Sequence, residues 1–63
     1  MDPRKLGKKI RLGRVELGLT QTQLAEKINA KQKSISRYET SVSSPSIKTL
    51  VKIAVVAGHF LDE

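Results

Sequence analysis

The run TQTQLAEKINAKQKSISRYE, residues 20–39, reads as two short helices joined by a tight turn. Thr20 and Gln23 have the spacing of a capping box, in which a threonine hydroxyl takes the N–H three residues on and the glutamine side chain reaches back. Leu24, Ala25 and Ile28 then recur at helical spacing and give the first helix an apolar stripe. Asn29 stops it, because asparagine tolerates the left-handed backbone almost as glycine does. After Ala30 and Lys31 a second helix begins at about Gln32 and runs to Glu39, with Ile35 and Tyr38 facing inward. Ala25 is small where the two helices come closest, and Ile35 anchors the second to the first. The other side of that second helix carries Gln32, Lys33, Ser36 and Arg37, all hydrogen-bonding groups and none apolar.

The flanks extend the helical pattern in both directions. On the N-terminal side, Asp2 is a good N-cap, Pro3 suits a first helical position, and Leu6, Ile10 and Leu17 fall on one face before Gly18. On the C-terminal side, residues 40–45 are serine-rich and read as a loop. Ser46 caps a further helix whose buried stripe is expected to be Ile47, Leu50, Val51 and Ala54, with Gly58 as its end. Residues 59–63 have room to begin a fifth helix; the chain stops after one turn of it, which is expected of a fragment. Strand periodicity is absent. The expected architecture is all-α, a compact bundle of four to five short helices forming a single domain over residues 1–63.

Composition narrows the functional classes. Twelve Lys and Arg stand against six Asp and Glu, a net charge of +6, in 63 residues. The excess is uneven: six basic and two acidic side chains in residues 1–19, four and two in 20–39, and two of each in 40–63. A positive N-terminal two-thirds suits a polyanion, although charge alone fits a solvated surface about equally well, and a basic helix on a membrane surface is a third alternative. No cysteine is present, so disulfides and thiolate metal sites are excluded, and one histidine makes no metal cluster. The most apolar stretch, residues 53–61, contains Gly58 and His59 and is far too short to span a bilayer. Aromatic residues are 3% of the chain, too few for a single-strand stacking platform. No nucleophile has a positioned base, and no glycine-rich loop is set to cradle a phosphate, so an enzyme and a small-molecule substrate are not expected.

Leu19-Thr20-Gln21, Leu24-Ala25, Ile28, Ile35-Ser36-Arg37-Tyr38-Glu39, Pro45-Ser46-Ile47, Leu50, Ile53-Ala54 and Gly58 together resemble the phage repressor and Cro family of helix-turn-helix domains, the lambda-repressor-like or XRE-like fold. The likeness runs from about Ile10 to Leu61. It implies that Gln32 to Glu39 is a recognition helix lying in the major groove of double-stranded DNA. On the same ground Gln32, Lys33, Ser36 and Arg37 match base-reading positions. Gln21, Lys31, Arg14 and Ser34 match or neighbour phosphate-contacting ones, and Gln21 also braces the first recognition-helix glutamine. Arg14 and Glu39 match a partly buried ion pair between the first helix and the end of the recognition helix. Val55, Val56 and Phe60 fall where the family pairs two copies on a palindromic operator, implying a weak, DNA-assisted homodimer. No cofactor and no metal are implied. The role implied is a cytoplasmic transcriptional repressor, bacterial or phage-encoded, with an antitoxin or a restriction-modification controller as alternatives.

The sequence also departs from that family. Asn29 and Ser41 stand where glycine is common, and Lys31 stands where a Ser or Thr N-cap is favoured. The loop Ser43-Ser44-Pro45-Ser46 lacks the basic residue that some members send toward the minor groove. Gly13 occupies a first-helix position where leucine is common, while Leu12 and Val15 fall on the outer face.

Overall fold

The structure is a computed structural model that describes residues 3–57. Four helices follow one another: α1 (Pro3–Glu16), α2 (Gln21–Lys27), α3 (Gln32–Glu39) and α4 (Ile47–Ala57). No strand occurs among the described residues, so the class is all-α. Asp2, Gly58 and the expected fifth helix lie outside the described residues.

The starts of the helices differ in chemistry. At α2, Thr20 Oγ1 accepts from the Gln23 N–H at 3.0 Å and Gln23 Oε1 accepts from the Thr20 N–H at 2.8 Å, a complete capping box. At α4, Ser46 Oγ accepts from the Thr49 N–H at 3.2 Å. At α3 the N-cap is Lys31, whose side chain makes no capping hydrogen bond.

The ends of α1, α2 and α3 share one device. Beyond each helix a single residue takes a positive φ: Gly18 (71°), Asn29 (57°) and Ser41 (65°). Around each, two backbone bonds close the last turn. Leu19 N–H reaches Arg14 O and Gly18 N–H reaches Val15 O; Ala30 reaches Ala25 and Asn29 reaches Glu26; Val42 reaches Arg37 and Ser41 reaches Tyr38. This is the Schellman pattern, a bond spanning six residues enclosing one that spans four, and it satisfies carbonyls that a helix end otherwise leaves bare. The first of these stops corrects the sequence reading of α1. The helix ends at Glu16, so Leu17 lies beyond it and is 48% exposed instead of joining the apolar face.

The core consists of Ile10, Leu24, Ala25, Ile28, Ile35 and Ile53, one or more from each helix or its cap. Leu6, Leu19, Tyr38, Ala54 and Val56 pack around them, partly buried. In α4 the buried stripe differs from the expected one. Ile53 is fully buried, while Ile47 and Val51 are 82% and 56% exposed. At 3.6 residues per turn those two lie about 120° and 160° around the helix from Ile53. Leu50, Ala54 and Ala57 fall on the Ile53 side and are half-buried.

α3 packs on both α2 and α1, and α4 packs on α1. The α1–α3 contact depends on Gly7, which is buried. A Cβ on Gly7 would lie 2.6 Å from the Tyr38 carbonyl oxygen and 2.9 Å from that of Glu39. Backbone therefore meets backbone there, and α1 lies directly on the last turn of α3.

Candidate nucleic-acid interface

α3 is anchored on one side by Ile35, fully buried, and by half-buried Tyr38. Lys33 and Arg37 are one turn apart on the opposite side and both are exposed. Gln32 is exposed at the start of the helix, and Ser36, one turn on from it, is half-buried. Ser34 is half-buried on the other flank, and Lys31 is exposed at the N-cap. The free surface of α3 is thus polar and carries two cations, with a third at its entry. Nothing on it is apolar. Thr40 Oγ1, just past the helix, donates to the Ser36 carbonyl at 2.9 Å and shields the last turn.

A chain of polar contacts fixes α3 against the other helices. Arg14 Nε donates to Glu39 Oε2 at 2.7 Å and Arg14 Nη2 to Glu39 Oε1 at 3.1 Å, a two-pronged ion pair. Arg14 Nη1 also donates to the Leu19 carbonyl at 2.7 Å, closing the α1–α2 connection. The two side chains are 13% and 3% exposed. Arg14 is pushed above its ordinary pKa, chiefly by the hydrogen bond to Glu39; burial opposes that shift and the carboxylate charge adds to it. Gln21 Nε2 donates to Glu39 Oε1 at 3.2 Å, and Gln32 Nε2 donates to Gln21 Oε1 at 2.6 Å.

Arg14, expected at a phosphate-contacting position, has three of its N–H groups engaged by Glu39 and Leu19 and is 13% exposed. Gln21 is half-buried, with its oxygen and one N–H already engaged. Elsewhere, Val55 is 77% exposed and Val56 half-buried. They line a groove of about 610 Å³ with Leu17, Leu19 and Lys27. Phe60 lies outside the described residues. Leu12 and Val15 are 58% and 55% exposed on the outer face of α1.

Two features escaped the sequence reading. The third acceptor of Arg14 is a backbone carbonyl, which carries no residue-type signal. Gly7 did carry one, since a glycine inside a helical pattern is unfavourable by about 1 kcal/mol relative to alanine and so marks a close approach. Among the described residues no helix is long and apolar enough to cross a membrane, and no group of acidic or histidine side chains is set to hold a metal.

The geometry agrees with what this chain is similar to. A family profile described as helix-turn-helix matches residues 8–58. A Yarrowia lipolytica protein bearing the name multi-protein-binding factor 1 is 43% identical over 53 residues, which is 84% of this chain and 35% of that protein. Human endothelial differentiation-related factor 1 is 43% identical over 54 residues, 86% of this chain and 36% of that protein. The HTH-type transcriptional regulator ImmR of Bacillus subtilis is 37% identical over 49 residues, 78% of this chain and 39% of the regulator. The chain therefore spans little more than a third of the length of these relatives.

Proposed function

This chain belongs to the XRE-type helix-turn-helix family of DNA-binding domains, and from that premise we propose that α3 enters the major groove of double-stranded DNA as the operator-reading part of a transcriptional repressor. The observation that carries the reading is the free face of α3. It offers Gln32, Lys33, Ser36 and Arg37 to an incoming surface, while Ile35 and the Arg14–Glu39 pair hold the helix rigidly from behind. Gln32 suits the donor–acceptor edge of adenine, and Lys33 suits the two acceptors of guanine. Ser36 and Arg37 extend the same face toward bases or backbone. Lys31, Ser34 and the remaining N–H of Gln21 are assigned to phosphates beside it.

One recognition helix reads only a few base pairs, too little to single out an operator. Two copies on half-sites about 34 Å apart meet that need. The exposed Val55, with Val56 and Phe60, is assigned to the contact between them. That contact is small, so pairing is weak without DNA. A cytoplasmic setting follows from the role. Human and fungal proteins are similar over the same stretch, so the sequence pattern is not confined to a bacterial or phage source.

Selection of bound duplexes from a random pool tests the reading. The expected result is a palindrome with half-sites one helical turn apart and an affinity that falls steeply with salt. Recovery of unenriched sequence, or salt-insensitive binding, would overturn it. A second reading is favoured by the name of the Yarrowia relative and by the exposed Leu12 and Val15 on α1. In it the domain holds other proteins, and Leu12→Ser with Val15→Ser abolishes that binding while leaving DNA affinity intact.

A further inference from the structure

The hydrogen bonds from Glu39 to Gln21 to Gln32 all point the same way, each amide nitrogen donating toward Glu39. We propose that Glu39 is a positioning residue for base selectivity: its carboxylate sets the orientation of two amides in series, so that Gln32 meets a base with one acceptor and one donor instead of two donors. This rests on the reading of Gln32 as a base-contacting residue.

The direction follows from donor chemistry. An ionised carboxylate accepts hydrogen bonds and donates none. Glu39 is held against the Arg14 guanidinium at 2.7 and 3.1 Å and is almost entirely covered. Gln21 must therefore turn its NH2 toward Glu39, which it does at 3.2 Å. That leaves the Gln21 oxygen facing Gln32, so Gln32 must answer with its own NH2, at 2.6 Å. Gln32 is left with its oxygen and a single N–H uncommitted. Adenine shows a donor at N6 and an acceptor at N7 in the major groove, which that pair complements. Guanine shows acceptors at both O6 and N7, and one of them would face the Gln32 oxygen. A free glutamine escapes that clash by turning its amide over. In this chain the turn would break the bond to Gln21, so the choice of base is made at Glu39, on the far side of the relay from the groove.

Replacing Glu39 by glutamine should reverse the relay. The shortest Arg14 bond, to Oε2, holds the new amide oxygen in place. The new NH2 then occupies the Oε1 position, 3.2 Å from the Gln21 NH2, and Arg14 Nη2, 3.1 Å away, gives up its bond there. Two donors facing each other force Gln21 to turn over, and Gln32 follows. Gln32 then presents both of its N–H groups, the pattern that guanine accepts.

The test is competition binding by the full chain to duplexes carrying each of the four bases at the position Gln32 contacts. That position is identified as the one where Gln32→Ala erases selectivity. Wild type should favour adenine over guanine by roughly tenfold or more. Gln21→Met removes the relay but leaves the Arg14–Glu39 pair, so it should bring that ratio near unity with the thermal midpoint nearly unchanged. Glu39→Gln should erase or invert the ratio at this position while selectivity at the Lys33 position persists. If Glu39→Gln does not fold, Gln21→Met decides alone. Retention of the wild-type ratio in the folded relay variants, with Gln32→Ala still erasing it, would overturn the relay and leave base reading by Gln32 standing. No position responding to Gln32→Ala would overturn both.

Discussion

Arg14 of α1 grips both carboxylate oxygens of Glu39, the last residue of α3, and a third bond carries the same guanidinium to the Leu19 carbonyl. One side chain thereby joins the first helix, the connection to the second, and the end of the third. Arg14→Ala leaves a carboxylate that is 3% exposed without its cation. The expected loss is about 3 kcal/mol, read as a lower urea midpoint. Arg14→Lys should recover less than half of it, because an ammonium cannot make the forked contact. With its pKa raised, Arg14 contributes fully at any pH below the ordinary arginine value and loses that contribution only as pH climbs through the higher folded value. Its share of the stability is therefore constant across the neutral range.

Gly7→Ala should act against helix propensity. In an exposed helix interior the change would add about 1 kcal/mol of stability. Here the new methyl would meet the Tyr38 and Glu39 carbonyl oxygens at 2.6 and 2.9 Å. α1 and the end of α3 must move apart, at a cost of about 1–3 kcal/mol. Thermal unfolding gives the sign directly, and an unchanged or raised midpoint would mean the two helices are not in backbone contact.

The helix stops give paired comparisons. Asn29 and Ser41 have φ values of 57° and 65°. Glycine adopts that region freely, and alanine pays about 1–2 kcal/mol for it. Asn29→Gly should therefore exceed Asn29→Ala in stability by about that much, and Ser41→Gly should exceed Ser41→Ala similarly. Each pair lacks the native side chain in both members, so the difference isolates the backbone. Equal unfolding midpoints within a pair would contradict the left-handed stop.

Lys31 trades stability for charge. α3 starts without a side-chain cap. Lys31→Thr should add about 1 kcal/mol by supplying one. The same change should weaken binding to all duplexes about equally and lower the salt slope by about 1, as loss of one phosphate contact does. Lys33→Ala should behave differently, weakening binding by about 1–3 kcal/mol and relaxing selectivity at one base pair. Titrations at several salt concentrations separate the two.

Local chemistry made much of this legible in the sequence. The capping box of Thr20 and Gln23, the stops at Gly18 and Asn29, the inward Ile35 and the polar face of α3 are each set by residues within a turn or two of one another. The sequence carries little signal for the phase of α4 because its apolar residues nearly encircle it, with Lys48, Thr49 and Lys52 alone marking a polar side. Contact with the rest of the fold, through Ile53, sets the phase instead. The relay from Glu39 to Gln32 spans separations of 18 and 11 residues, so it exists only once α2 and α3 are packed together. Gly7 is legible as an anomaly within α1, but its partner at the end of α3 is a product of the fold.

The three left-handed stops bear on stereochemistry. At Asn29 and Ser41 the natural hand of the amino acid opposes the conformation its backbone must hold. A D-residue at either place adopts that region as its own preferred one. In a chemically synthesised chain, D-alanine at position 29 or 41 should fit without displacing a helix, whereas the same inversion at Ile35 would break α3. Inverting one α-carbon at a time therefore separates the residues that end a helix here from those that build one.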